Sequence, residues 1–159
     1  MKLASKEHIA KFRREVSIVR YLANHRPDTR FAVKELSHGL QEPTESDWQR
    51  LKGLARYLMK TSEEGIWLPA DTNNAERGIL TVESDTDWAG DEISRKSTSS
   101  GHEYYEGCLI SDTCQSQTCV AKSSCEAEVY GANTAVSPAI LHKRFLEWCG
   151  LGCKRIHLF

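Results

Sequence analysis

The sequence predicts an α/β protein: a mixed sheet flanked by helices in the C-terminal part, preceded by an all-helical segment. Three observations predict it. Up to residue 60, apolar residues recur every three or four positions. Beyond residue 62, short apolar runs alternate with turn-forming residues, which is strand spacing. From Ser124 to Trp148 the helical period returns, and a last apolar run, Ile156-His157-Leu158-Phe159, follows it. Strands, then a helix, then a further strand make one layer of an α/β sandwich. The chain therefore divides into residues 1–62, helical, and residues 63–159, the sheet-forming part.

In the helical part, Ile9, Phe12, Val16, Val19 and Leu22/Ala23 fall on one face and predict a helix ending near Asn24-His25, where Pro27 breaks it. Asp28 is placed to cap a second helix whose stripe is Phe31/Ala32, Leu36 and Leu40. Pro43-Thr44-Glu45-Ser46-Asp47 is a third start signal, with Thr44 as N-cap and acids in the first turn. Trp48, Leu51, Leu54/Ala55 and Leu58 carry that helix's buried face.

In the sheet part, Ile66-Trp67-Leu68 reads as a short strand, residues 69–77 as a polar turn, and residues 79–84 as a strand delivering Asp85. Residues 91–101 read as a polar loop. His102–Glu106 and Cys108–Ser111 form a hairpin about Gly107, and Thr118–Ala121 is a third antiparallel strand. The helix from Ser124 is expected to break or kink at Pro138, and Gly150 and Gly152 end it. Trp88 and Trp148 are expected to fill core, and His142 to lie at a surface or boundary.

A net charge of −1 over 159 residues does not announce nucleic-acid binding, which would have to come from local patches. Forty per cent hydrophobic content is enough for a packed core. No apolar run approaches a membrane span of roughly 18 residues, and the first residues lack an apolar signal region, so an intracellular, non-secreted protein is expected. The six cysteines form no CxxC pair and are expected to be reduced thiols. Cys149 and Cys153, separated by Gly-Leu-Gly, suit a helix end better than a zinc site.

Two acidic clusters carry the chemistry. Ser84-Asp85-Thr86-Asp87-Trp88-Ala89-Gly90 closes the strand, and Ser123-Ser124-Cys125-Glu126-Ala127-Glu128 opens the last helix. A carboxylate at a strand end facing another at a helix start can share a divalent cation, as metal-assisted phosphodiester chemistry requires. Each residue has a plainer reading. A strand-end aspartate commonly forms a turn, and Ser123-Ser124-Cys125-Glu126 also fits a capping box, which competes for the same glutamate oxygens. Asp87 and Asp91 read as loop residues, and Glu128 as an exposed helix residue. Lys52, Arg56 and Lys60 recur every four residues on one helix and could track phosphates, as could Arg95 and Lys96 in the loop; a solvated charged face is the alternative.

Taken together, these motifs resemble a known family. Tyr21–Asp28, Pro43-Thr44-Glu45 and Leu54–Leu58 resemble the end of a copia-type retrotransposon reverse transcriptase. Ser84–Asp91, Arg95–Ser99 and Ser123–Glu128 resemble the ribonuclease H domain that follows it in the Pol polyprotein, so the resemblance runs from about residue 7 to Phe159. It implies a ribonuclease H-like fold in residues 63–159 behind a thumb- or connection-like helical tail in 1–62. It implies hydrolysis of the RNA strand of an RNA–DNA hybrid with Mg²⁺, or Mn²⁺ in its place, and no small-molecule cofactor. Asp85 and Glu126 would be the catalytic, metal-holding carboxylates, and the hybrid and the rest of the reverse transcriptase the partners. The location implied is the cytoplasm, a virus-like particle or the nucleus, with no membrane association.

The departures from that family carry as much information. Its third catalytic aspartate comes directly after the strand matching Ile156–Phe159, where this sequence stops, and a fourth acidic position lies further on. Asp112-Thr113 replaces an aromatic residue, Ser99-Ser100-Gly101 is one residue too long for the family's pattern, and no polymerase palm is present. The expectation is a C-terminally truncated domain with a half-built metal site and weak or absent cleavage. A non-catalytic hybrid-binding module and an inactive element remnant are the alternatives.

Overall fold

The structure, a computed structural model, describes residues 6–68 and 78–159; the turn expected at 69–77 lies outside them. The chain forms two compact units, Met1–Ile66 and Trp67–Phe159.

The first unit is helical. Helix α1 spans Lys6–Leu22, a 3-10 turn covers Pro27–Thr29, α2 spans Arg30–His38 and α3 spans Glu45–Lys60. Phe12, Val16, Val19, Ala23, Val33, Leu36, Leu51 and Leu54 form its core, with Trp48 and Leu58 packed against them. The Phe12 ring meets Trp48 edge-on at 5.4 Å between centroids. Leu22 and residue 55, expected on buried faces, are exposed, because Ala23 takes the inward position as α1 ends.

Thr44 caps α3 as its sequence foretells. The Asp47 N–H donates to Thr44 Oγ1 at 3.2 Å, and Asp47 Oδ2 accepts from the Thr44 N–H at 2.8 Å, a complete capping box. Thr44→Ala removes one half of it. It is expected to cost about 1 kcal/mol, read as a lower urea midpoint for the helical signal at an unchanged slope; an unchanged midpoint would contradict the assignment.

Asp28 does not cap α2. The residue at that N-cap is Thr29, with no side-chain cap bond. Asp28 instead accepts from Arg26 at 2.8–3.0 Å and from the Tyr57 hydroxyl at 2.8 Å, while Arg26 also donates to Thr61 O at 2.8 Å. This network ties the 3-10 turn to the end of α3. The Arg26 hydrogen bond holds the Asp28 carboxyl below the usual carboxylate range, and donation to that carboxylate pushes the Tyr57 hydroxyl up.

The second unit is a four-stranded mixed sheet in the order β3-β2-β1-β4. Strand β1 is Ile79–Asp87, β2 Thr98–Tyr105, β3 Cys108–Ser116 and β4 Arg155–Leu158; the long helix α4, Ser124–Trp148, joins β3 to β4. Neighbours β1, β2 and β3 are antiparallel, whereas β4 runs parallel to β1, so α4 is the crossover that a parallel pair needs. Leu80 and Val82 pack with Ala135, Ala139 and Leu146 of α4.

The α4 interface is built of small residues. A Cβ on Gly101 of β2 would lie 3.1 Å from Ala135 Cβ, so the helix and the strand backbone approach closely. Ala127, Gly131, Ala135 and Ala139 line the helix side, and Ser97 and Ser99 are buried on the sheet side.

Several sequence expectations give way here. Ile66-Trp67-Leu68 is no strand: all three are exposed, Trp67 at 83%. The third antiparallel strand is β3 itself, which continues to Ser116, so Thr118–Ala121 is not a strand. The segment from Thr98 to Gly101, expected as loop, already belongs to β2. Helix α4 continues through Pro138, so of the break or kink expected there the break does not occur. Of the two tryptophans expected in the core, Trp88 is half exposed, and Trp148 is 82% exposed and stacks on Phe145.

Candidate functional site

Strand β1 sorts its side chains by parity. Leu80 and Val82 enter the core beneath α4. A Cβ on Gly131 would meet Thr86 Oγ1 and Ser84 Oγ, and the Thr86 hydroxyl donates to Ala127 O at 3.4 Å. Even-numbered residues therefore face α4. Glu83, Asp85 and Asp87 belong to the other face, and all three are exposed. Asp85 lies opposite Ser100 of β2, whose hydroxyl donates to the Asp85 backbone oxygen at 3.4 Å. No hydrogen bond or ion pair engages its carboxylate among the described residues.

Glu126 stands in the first turn of α4. The Ser123 hydroxyl accepts from the Glu126 N–H at 3.1 Å and caps the helix. The Glu126 carboxylate turns back and accepts from the Lys122 N–H at 2.7 Å. That bond falls one residue before the N-cap Ser123, so the capping box that the Ser-x-x-Glu pattern offered is not closed. The two carboxylates share the end of the unit where β1 finishes and α4 begins, which the Trp88 indole N–H fixes by donating to Ala121 O at 3.1 Å. One belongs to the sheet face turned from α4, the other to α4 itself. Among the described residues no group of three or more His, Cys, Asp or Glu side chains could hold a metal ion.

Strand β4 runs to the same place. Phe159 donates its N–H to Val82 O at 2.9 Å, and its carbonyl accepts from the Ser84 N–H at 2.9 Å. The parallel ladder therefore reaches the residue before Asp85.

The basic candidates divide between the units. Lys52, Arg56 and Lys60 are exposed along α3, and none is in an ion pair among the described residues. Arg95 and Lys96 lie in a fixed turn: the Arg95 N–H donates to Asp91 O at 2.8 Å, and Asp91 Oδ1 accepts from the Ile93 and Ser94 N–H groups at 2.9 and 3.1 Å. Asp91 is thus a turn-former, as its loop reading implied, whereas Asp87 closes β1.

One polar pair was missed from sequence. Glu103 is 3% exposed, and its carboxylate lies 2.7 Å from His142 Nδ1, joining β2 to α4. A buried carboxylate needs such a partner. The signal was available, since Glu103 holds an inward position of β2 between Gly101 and Tyr105. All six cysteines are free thiols; Cys125 is exposed, and burial pushes the Cys153 thiol up.

These features define a mixed α/β domain with an acidic strand end, preceded in the chain by a three-helix unit. The chain belongs to the family of retrovirus-related Pol polyproteins of copia-type transposons. It is 38% identical over 125 residues to the Pol polyprotein from transposon RE2 of Arabidopsis thaliana, a match covering 78% of this chain and 8% of that protein. It is 34% identical over 126 residues to that from transposon TNT 1-94 of Nicotiana tabacum, covering 79% and 9%. A secreted RxLR effector protein 161 of Plasmopara viticola is 36% identical over 115 residues, covering 72% of this chain and 78% of the effector. The chain spans less than a tenth of the length of the Pol relatives it matches. No family model matches it, and no solved structure matches it. No helix among the described residues is long and apolar enough to cross a membrane.

Proposed function

We propose that this chain is the ribonuclease H-type part of a transposon Pol polyprotein, joined to the helical end of its reverse transcriptase. The chemistry it serves is hydrolysis of the RNA strand of an RNA–DNA hybrid, for which Mg²⁺, or Mn²⁺ in its place, supplies Lewis acidity when bound. One observation supports this most: β4 lies parallel to β1, and Phe159 bonds to Val82 and Ser84, one residue short of Asp85. A carboxylate carried just beyond that point would stand beside Asp85, on the seam where a cation site can be completed. Among the described residues no group of three or more ligands gathers there, and no step of hydrolysis is assigned to them.

Their own part is to hold the hybrid. Lys52, Arg56 and Lys60 rise along one face of α3 at intervals of about 6 Å, and Arg95 and Lys96 present two further charges. Such contacts read backbone charge rather than sequence, and 2′-hydroxyl contacts distinguish RNA from DNA. The purified chain is expected to bind a hybrid with a log–log salt slope that becomes less steep by roughly 3 in the Lys52→Ala/Arg56→Ala/Lys60→Ala variant. It is expected to leave the RNA strand uncut in either metal. A slope untouched by the triple substitution would overturn the basic-row assignment. Cleavage by 1–159 that disappears in Asp85→Asn would overturn the incompleteness of the site.

A further inference from the structure

Helix α4 carries charge only towards its ends. Glu126 and Glu128 lie in its first turns and Lys143, Arg144 and Glu147 in its last, and residues 129–142 include no Asp, Glu, Lys or Arg. A helix that faces water is ordinarily charged on its outer side, as α3 is. One that is apolar on more than one face is built to be covered. The sheet covers one stripe: Ala127, Gly131, Ala135, Ala139 and Leu146 are buried. A second stripe, Cys125, Val129, Ala132, Val136 and Ile140, recurs every three or four residues, roughly a third of a turn round the helix. Val129 is 63% and Ile140 47% exposed, and Cys125 is exposed as well.

The charges beside this stripe select its partner. Acids stand before it and bases after it, so a copy of the same helix laid antiparallel brings opposite signs together, whereas a parallel copy sets like on like. Val136 is the centre of the matching register. Ala132 then falls opposite Ile140, a small side chain against a large one. Glu128 and Lys143 flank the stripe on one side, eight residues before the centre and seven after it. Glu126 and Arg144 flank it on the other, ten before and eight after. At about 1.5 Å of rise per residue, each acid of one copy comes within about 3 Å, along the axis, of the matching base of the other. Twofold symmetry makes each pair twice. Lys143 is open to such a partner, because its ion pair with Glu147 is 3.9 Å long, beyond hydrogen-bond distance.

We propose that this stripe of α4 is a self-complementary docking surface, on which a second copy of the chain seats its own α4 antiparallel, with Val136 at the twofold axis. The inference stands apart from the nucleic-acid reading, since it needs neither hybrid nor metal. Sedimentation velocity on the full chain over a range of concentrations tests it. One helix face is a small interface, so a reversible dimer that grows with concentration is expected. Val136→Glu sets two carboxylates against each other at the axis and should leave a monomer, with circular dichroism and thermal melting reading the fold of each variant. Glu128 is exposed, so Glu128→Lys leaves the fold intact. It sets like charges together twice and should weaken the dimer about tenfold. Glu128→Lys/Lys143→Glu restores opposite signs and should recover most of that loss. A monomer at every concentration would overturn the proposal, as would a dimer that survives Val136→Glu. A double variant that associates no better than Glu128→Lys would overturn the antiparallel register.

Discussion

Replacing Phe12 with alanine is expected to destabilise the helical unit by about 3–5 kcal/mol and to leave the sheet unit folded. Phe12 is fully buried at the centre of the α1–α3 core and supplies the ring that Trp48 meets edge-on. Truncation removes that contact and leaves a cavity which helices fixed by a capping box and by the Arg26–Asp28–Tyr57 network cannot readily close. A unit of this size has little stability in reserve, because small domains bury a small fraction of their surface. Hydrogen exchange reads the outcome by region. Amides of α1, α2 and α3 should lose most of their protection, while those of β1, β2 and β3 keep theirs. Equal loss in both units would show that the two fold as one.

The second large effect has a sign that must be argued. Gly131 lies inside α4, where glycine to alanine ordinarily gains about 1 kcal/mol of helix propensity. Its added Cβ, however, would lie 2.3 Å from Thr86 Oγ1, with Ser84 Oγ at 3.3 Å and Ser99 Oγ at 3.4 Å. Thr86 is β-branched, buried and bonded to Ala127 O, so its hydroxyl has nowhere easy to turn. Overpacking of this kind costs about 1–3 kcal/mol, and the steric term wins. Gly131→Ala should therefore lower the denaturant midpoint. In a Thr86→Ala background the clash is gone and the propensity gain remains, so the same substitution should be neutral or stabilising. An equal loss in both backgrounds would contradict the close helix–sheet approach described above.

The same interface explains which parts of the fold were legible. Thr44 with Asp47 declared a helix start because a cap is a local bond between residues three apart. The helical stripe through Phe12, Val16 and Val19 declared itself by period. The start of β2 did not, since Thr98-Ser99-Ser100-Gly101 has the composition of a loop. Ser99 and Gly101 are small because α4 presses on them, and that pressure comes from a helix some thirty residues later. Ile66-Trp67-Leu68 misled in the opposite direction: three apolar residues suggest burial, yet all three are exposed. Asp28 was read as a cap because position favoured it, but Arg26 and Tyr57, the latter 29 residues away, took its oxygens.

At the site, the strand carrying Asp85 and the helix carrying Glu126 were both legible. Leu80, Val82 and Thr86 pointing to α4 commit Asp85 to the other face. The Glu126 carboxylate is bound to the Lys122 N–H, just before the helix.

The most direct measurement is hybrid cleavage in Mg²⁺ by the chain continued past Phe159 with the corresponding segment of a Pol relative, compared with residues 1–159 and with the continued chain carrying Asp85→Asn. Cutting by the continued chain alone, abolished by the substitution, is the predicted result. A continued chain that folds and binds hybrid yet leaves the RNA intact, or one that cuts equally well without the Asp85 carboxylate, would contradict it.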